Sequence, residues 1–149
     1  MRELTVTEII EYAEQIEMES FKFYSEAKVR IKNPEVNELL SILADDETMH
    51  FNNLRKLREE GTLSADEMQQ KLQIESDVLD IIVNTDVIDD NAEWKDVLNI
   101  ALQREIRTEK LYSMMLSFSH LNNEILALFE NLRLQEKGHV TKIQEKLNK

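Results

Sequence analysis

Glu47 and His50 stand three residues apart, and so do Glu136 and His139. On a helix that spacing is one turn, so a carboxylate and an imidazole share one face and can bind the same metal ion. Alternating steps of four and three residues place each pair in an otherwise apolar row, the seam of a helical bundle. One row is Val36, Leu40, Leu43, Glu47, His50, Leu54 and Leu57; the other is Ile125, Phe129, Leu132, Glu136, His139 and Ile143. A Glu and a His are costly to bury among Leu, Ile, Val and Phe unless something neutralises and coordinates them, and a cation is the simplest partner.

Four helices are needed to position these residues. Thr5-Val6-Thr7-Glu8 reads as a capping box, which predicts a first helix from about Thr5 to Ile31. Its inward row is Val6, Ile10, Ala13, Glu17, Ser20, Tyr24, Ala27 and Ile31, while Glu11, Glu14 and Glu19 fall off the row and read as solvated surface. Asn33-Pro34-Glu35 supplies an N-cap, a proline at the first helical position and an acid at the positive end of the dipole, so a second helix runs from about Pro34 to Glu60 and stops at Gly61. Ser64-Ala65-Asp66-Glu67 opens a short helix to about Glu75, and Asp77 to Asp90 shows no clean period. A connection this long can return from one end of a bundle to the other, joining the second and third helices in the parallel sense. A third helix from about Ala92 to Phe118 carries the row Trp94, Leu98, Ala101, Glu105, Thr108, Tyr112 and Met115, and a fourth runs from about Asn123 to Leu147.

The two halves repeat one another. Glu17, Ser20 and Tyr24 recur as Glu105, Thr108 and Tyr112, and thirty residues separate Glu17 from Glu47 where thirty-one separate Glu105 from Glu136. The expectation is an all-α four-helix bundle with one long crossover between the second and third helices, made of two pseudo-twofold-related hairpins whose polar residues meet at mid-height. The inward polar set is then Glu17, Glu47, His50, Glu105, Glu136 and His139: one Glu from each of two helices and a Glu-x-x-His from each of the others, the arrangement of dinuclear carboxylate bundles. Four carboxylates are neutralised by two divalent cations and not by one.

Other residues of interest carry plainer readings. Tyr24 and Tyr112 lean back toward Glu17 and Glu105, where each either hydrogen-bonds a ligating carboxylate, donates a proton or an electron to a bound oxygen species, or simply packs. His120 has Ser117 three residues before it and sits near a helix end as a C-terminal cation. The six Met are core filler, since thioethers suit softer copper sites. Asp86, Asp89 and Asp90 lack the Gly and terminal Glu of a calcium loop. Gly138, between two proposed ligands in mid-helix, points either to close approach of a neighbouring helix or to an opening for a small oxidant.

Composition narrows the function classes. The chain has 149 residues, enough for a single domain over 1–149, with two Gly and one Pro. A net charge of −12 argues against nucleic acid and anionic membrane surfaces. No stretch approaches the roughly 20 apolar residues of a membrane span, and Met1-Arg2-Glu3-Leu4 opens no signal peptide, so a cytoplasmic location is expected. The absence of cysteine excludes disulfides, iron–sulfur clusters and thiolate zinc sites, and any metal falls to Glu, Asp and His.

Ile16 to Tyr24, Asp46-Glu47-Thr48-Met49-His50, Glu105 to Tyr112 and Glu136-Lys137-Gly138-His139 together resemble the rubrerythrin branch of the ferritin-like superfamily. The resemblance implies a ferritin-like bundle with two iron ions per chain, manganese or zinc being possible substitutes. They would be held by Glu17, Glu47, His50, Glu105, Glu136 and His139, with Glu47 and Glu136 bridging. It implies reduction of hydrogen peroxide, or reaction with oxygen. Typical members carry a rubredoxin domain with four cysteines, so electrons would come here from a separate donor protein such as a rubredoxin. They also carry a further Glu where this chain has Thr108, and the symmetric ligand set left behind is closer to simpler ferritin-like proteins. The alternatives are a ferroxidase or iron-handling protein, and a non-enzymatic bundle whose metal only neutralises its core. A homodimer using the middle segment is the expected assembly.

Overall fold

The computed structural model describes residues 1–81 and 88–149. A short strand, β1 (Arg2–Thr5), leads into the long helix α1 (Val6–Arg30), followed by α2 (Pro34–Glu60), a one-turn helix α3 (Ala65–Met68), strand β2 (Lys71–Ile74), a 3-10 segment (Ser76–Ile81), and helices α4 (Trp94–Leu116) and α5 (Asn123–Leu147). The starts of α1 and α2 are set by the caps read from sequence. Thr5 and Glu8 close a capping box on α1, and Asn33 Oδ1 accepts from the backbone N–H groups of Glu35 and Val36 at 3.1 and 3.2 Å. Gly61 ends α2 with an ordinary negative φ of −69°, so it is there for space: a Cβ would lie 2.3 Å from the Leu57 carbonyl oxygen.

The middle segment corrects one expectation. The helix opened by Ser64 stops after Met68 rather than running to Glu75, and Lys71–Ile74 pairs antiparallel with Arg2–Thr5, Leu4 opposite Leu72. Leu72 and Ile74 are buried while Lys71 and Gln73 are exposed, the period-two pattern of a half-buried strand. The third long helix starts at Trp94, two residues later than the spacing suggested, and ends at Leu116. Of the acidic residues read against a calcium loop, Asp86 lies outside the described residues.

Every residue of the four inward rows is buried except Trp94, which is half-buried. Two apolar clusters result, one at each end of the bundle. The first joins Val6, Ile9 and Ile10 of α1, Leu54 and Leu57 of α2, Leu111 and Met115 of α4, and Ile125, Phe129 and Leu132 of α5. The second joins the other ends: Phe23 and Ala27, Val36 and Leu40, Val97 and Leu98, and Ile143. Each fully buried side chain of this size contributes roughly 1.5–3 kcal/mol, so the two ends clamp whatever lies between them. This sharing of ends makes α2 and α4 run in the same sense. The connecting chain touches both levels, with Asp77 bound to Lys110 near the end of α4 and the Ile88 carbonyl accepting from Arg30 at the end of α1.

Off the rows, Glu14 corrects its reading as solvated surface. It is buried and held by Arg58 through Nε at 2.7 Å and Nη2 at 3.0 Å, a two-point ion pair between α1 and α2.

Candidate metal centre

Between the two apolar clusters lies a polar layer. Glu17 comes from α1, Glu47 and His50 from α2, Glu105 from α4, and Glu136 and His139 from α5, each at most 2 % exposed. They form two overlapping groups, Glu17, Glu47, His50 and Glu136, and Glu47, Glu105, Glu136 and His139, within each of which one ligand atom per residue lies within 4.8 Å of the others. Glu47 and Glu136 belong to both groups. The sequence thus brings all six together and divides them into two equivalent halves, with the imidazole rings roughly parallel, 5.8 Å apart.

Both histidines present Nδ1 to the carboxylates. His50 Nδ1 lies 2.9 Å from Glu136, 3.3 Å from Glu17 and 3.9 Å from Glu47; His139 Nδ1 lies 3.4 Å from Glu47, 3.5 Å from Glu105 and 3.7 Å from Glu136. Few of these approaches are aligned hydrogen bonds. Glu47 Oε1, Glu105 Oε2, both oxygens of Glu136 and His139 Nδ1 are buried with no hydrogen-bond partner. Such atoms cost roughly 1–3 kcal/mol each when left unsatisfied, and their convergence on one point is what a cation would relieve. The donor set is carboxylate oxygen and imidazole nitrogen with no sulfur, which suits iron, manganese or zinc.

The outer oxygens are occupied. Tyr24 donates its phenol hydrogen to Glu105 Oε1 and Tyr112 donates to Glu17 Oε1. The partners are therefore crossed with respect to the sequence expectation: each tyrosine reaches the Glu of the opposite hairpin and not the one on its own helix, because the α1 and α4 rows face each other across the layer. Burial first, and then the charge of the bonded carboxylate, push both phenols well above their ordinary pKa, so they remain donors.

With only the chain's own groups present, protons do the neutralising. Burial, and then the charges of Glu17 and Glu105, push the Glu47 carboxyl well above its ordinary range. Burial also opposes ionisation of Glu17, but hydrogen bonds from Glu47, His50 and Tyr112 outweigh it and hold that carboxyl below its usual value. Burial works against charge on His50 and His139 as well, yet the hydrogen bonds and charges of Glu17 for the former, and of Glu105 and Asp46 for the latter, raise both imidazoles above their ordinary value.

Three residues around the layer escaped the sequence reading. Asp46 and Gln135, each one place before a row Glu, bond Nε2 of the opposite hairpin's histidine; their matched positions were the available signal. Arg104 is buried, donates to Ser20 Oγ at 3.0 Å and lies over the Phe23 ring. Thr108 turns its hydroxyl onto the Arg104 carbonyl at 2.8 Å. His120 is exposed beyond α4, apart from the layer. Gly138 is exposed too, and a Cβ there would meet nothing within 4 Å, so close approach of a neighbouring helix is not its reason.

Comparison with curated proteins and with solved structures finds no match. The rubrerythrin family matches over residues 8–147, a span that takes in both hairpins and the whole polar layer. A four-helix bundle whose two Glu-x-x-His turns and two partnering Glu converge within that span belongs, with the chain that builds it, to the rubrerythrin family.

Proposed function

We propose that the protein is a non-haem di-iron carboxylate oxidoreductase that reduces hydrogen peroxide, or reacts with oxygen, using electrons from a separate donor protein. The observation that carries this reading is the convergence of six buried Glu and His side chains into two groups sharing Glu47 and Glu136, with ligand atoms of Glu47, Glu105, Glu136 and His139 left unpartnered. Glu17 and His50 would hold one iron, Glu105 and His139 the other, and Glu47 and Glu136 would be shared. Iron, when bound, supplies the electrons that reduce the oxidant.

The chain's own groups supply the rest. Tyr24 and Tyr112 each occupy one oxygen of a terminal Glu, leaving its second oxygen directed inward, and each is a protonated phenol beside the polar layer, able to release a proton toward it. Leu43, Leu54, Leu132 and Ile143 flank the layer along their helices and keep water from its donors. In this reading electrons reach the layer from a separate donor protein, since none of these 149 residues is a cysteine that could hold a thiolate centre.

Thr108 favours a second reading, in which iron is substrate and the protein a ferroxidase. Its hydroxyl is committed to a backbone carbonyl, so the α4 side offers one carboxylate and the two halves stay symmetric. Anaerobic loading with ferrous iron followed by stopped-flow mixing with peroxide and, separately, with oxygen tests both. Faster oxidation by peroxide, repeated when reductant is added, supports the first; iron uptake beyond two per chain supports the second; no oxidation by either overturns both.

A further inference from the structure

The six converging Glu and His side chains and the two tyrosines match between the halves of the polar layer, but the groups behind the histidines do not. His139 donates Nε2–H to Asp46 Oδ2 at 2.8 Å, whereas His50 donates Nε2–H to Gln135 Oε1 at 2.5 Å. The Gln135 amide nitrogen in turn donates to Asn131 Oδ1, which keeps the amide oxygen turned to the imidazole. One histidine is thus backed by a carboxylate and the other by a neutral amide. In both, Nε2 faces outward to this partner and Nδ1 faces the carboxylates.

A carboxylate accepting the outer N–H draws on that proton more strongly than an amide does, and makes the inner nitrogen the better donor to a cation. Asp46 also adds a negative charge on the Glu105 side. Arg104, buried on the same side, carries a positive charge that opposes it; it donates to Ser20 Oγ and lies over the Phe23 ring, while Asp46 contacts His139 directly.

We propose that Asp46 is a positioning residue that makes the Glu105–His139 half the preferred one, so that a first divalent cation settles there and a second follows beside His50 and Glu17. The inference rests on the reading that the layer holds a metal pair. Weaker binding of a second cation would not by itself test it, because the first neutralises the shared Glu47 and Glu136 in either order. The position of the first cation is the readout.

Zinc, a redox-inert probe, is titrated into the metal-free protein while the imidazole 15N signals of its three histidines are followed by NMR, with exposed His120 as internal control. Over the first equivalent the His139 signals should move and those of His50 should stay, an occupancy ratio on the order of 10 or more from the usual effect of an outer partner. Asp46→Asn should remove the preference and Gln135→Glu should add to the His50 half; the two together should reverse the order. Unchanged far-ultraviolet circular dichroism would show that each variant is folded. Simultaneous movement of both histidines in the wild type, or first filling beside His139 in Asp46→Asn, overturns the assignment to Asp46 while leaving the metal pair intact. Zinc that moves neither histidine overturns the metal pair itself.

Discussion

Glu47→Gln is expected to make the metal-free protein more stable. Glu47 is 1 % exposed, crowded by Glu17 and Glu105, and one of its oxygens has no hydrogen-bond partner. Its pKa is raised, so the cost of this carboxyl grows as pH climbs above the ordinary carboxylate range and ionisation is forced on a buried group. An amide has the same shape, carries no charge and donates to the carboxylates on both sides. Relieving a buried, poorly satisfied polar group yields about 1–3 kcal/mol. For a chain of this length that corresponds to a rise in melting temperature of about 2–12 °C. The assay is thermal denaturation with chelator at pH 8 and again at pH 6, where the gain should shrink because Glu47 holds more of its proton. The same variant should lose most of the stabilisation given by added zinc or manganese, since Glu47 belongs to both ligand groups. A metal-free variant that melts below the wild type at pH 8 would refute the reasoning, because Glu47 would then be contributing stability instead of straining the layer.

Other perturbations follow from the same layer. His50, His139 and Glu47 all have raised pKa values in the fold; such groups contribute stability that is fully present below their unfolded values and lost as pH rises through the folded ones. Glu17 has the opposite sign, but its contribution is lost only as pH falls below the ordinary carboxylate range. Metal-free protein should therefore melt lower at pH 8 than at pH 6, and the gap to metal-loaded protein should widen with pH; a gap that narrows would contradict this. Tyr112→Phe takes the donor from a buried Glu17 oxygen and should cost about 1–3 kcal/mol by denaturant unfolding, with Tyr24→Phe doing the same through Glu105. The glycines should respond in opposite directions. Gly138→Ala meets open space and should stabilise the helix by about 1 kcal/mol. Gly61→Ala collides with the Leu57 carbonyl and should destabilise by about 1–3 kcal/mol.

The long helices and the six converging side chains were legible because period and caps act locally: a Glu or His on a seven-residue row has one face on which to sit, and Asn33-Pro34 or Thr5 with Glu8 leaves little choice of start. What escaped depends on contacts distant in sequence. Lys71–Ile74 is a strand because Arg2–Thr5 lies beside it, a pairing nothing in either tetrapeptide requires. Glu14 is buried because Arg58 comes to meet it from the next helix. The tyrosines cross over for a related reason: helical geometry gives the direction in which a side chain leans, while the facing helix decides which carboxylate it meets. Asp46 and Gln135 fall just off their rows, where periodicity reads surface, and only the packed hairpins bring them to the opposite histidine.

The central claim is that six buried side chains share two cations, and anomalous diffraction from crystals equilibrated with excess ferrous, manganous or zinc salt tests it most directly. Two peaks are predicted in each chain, both touching Glu47 and Glu136, one beside Glu17 and His50 and the other beside Glu105 and His139. Maps with no peak in that layer, or a single peak held by only some of the six, would contradict the account.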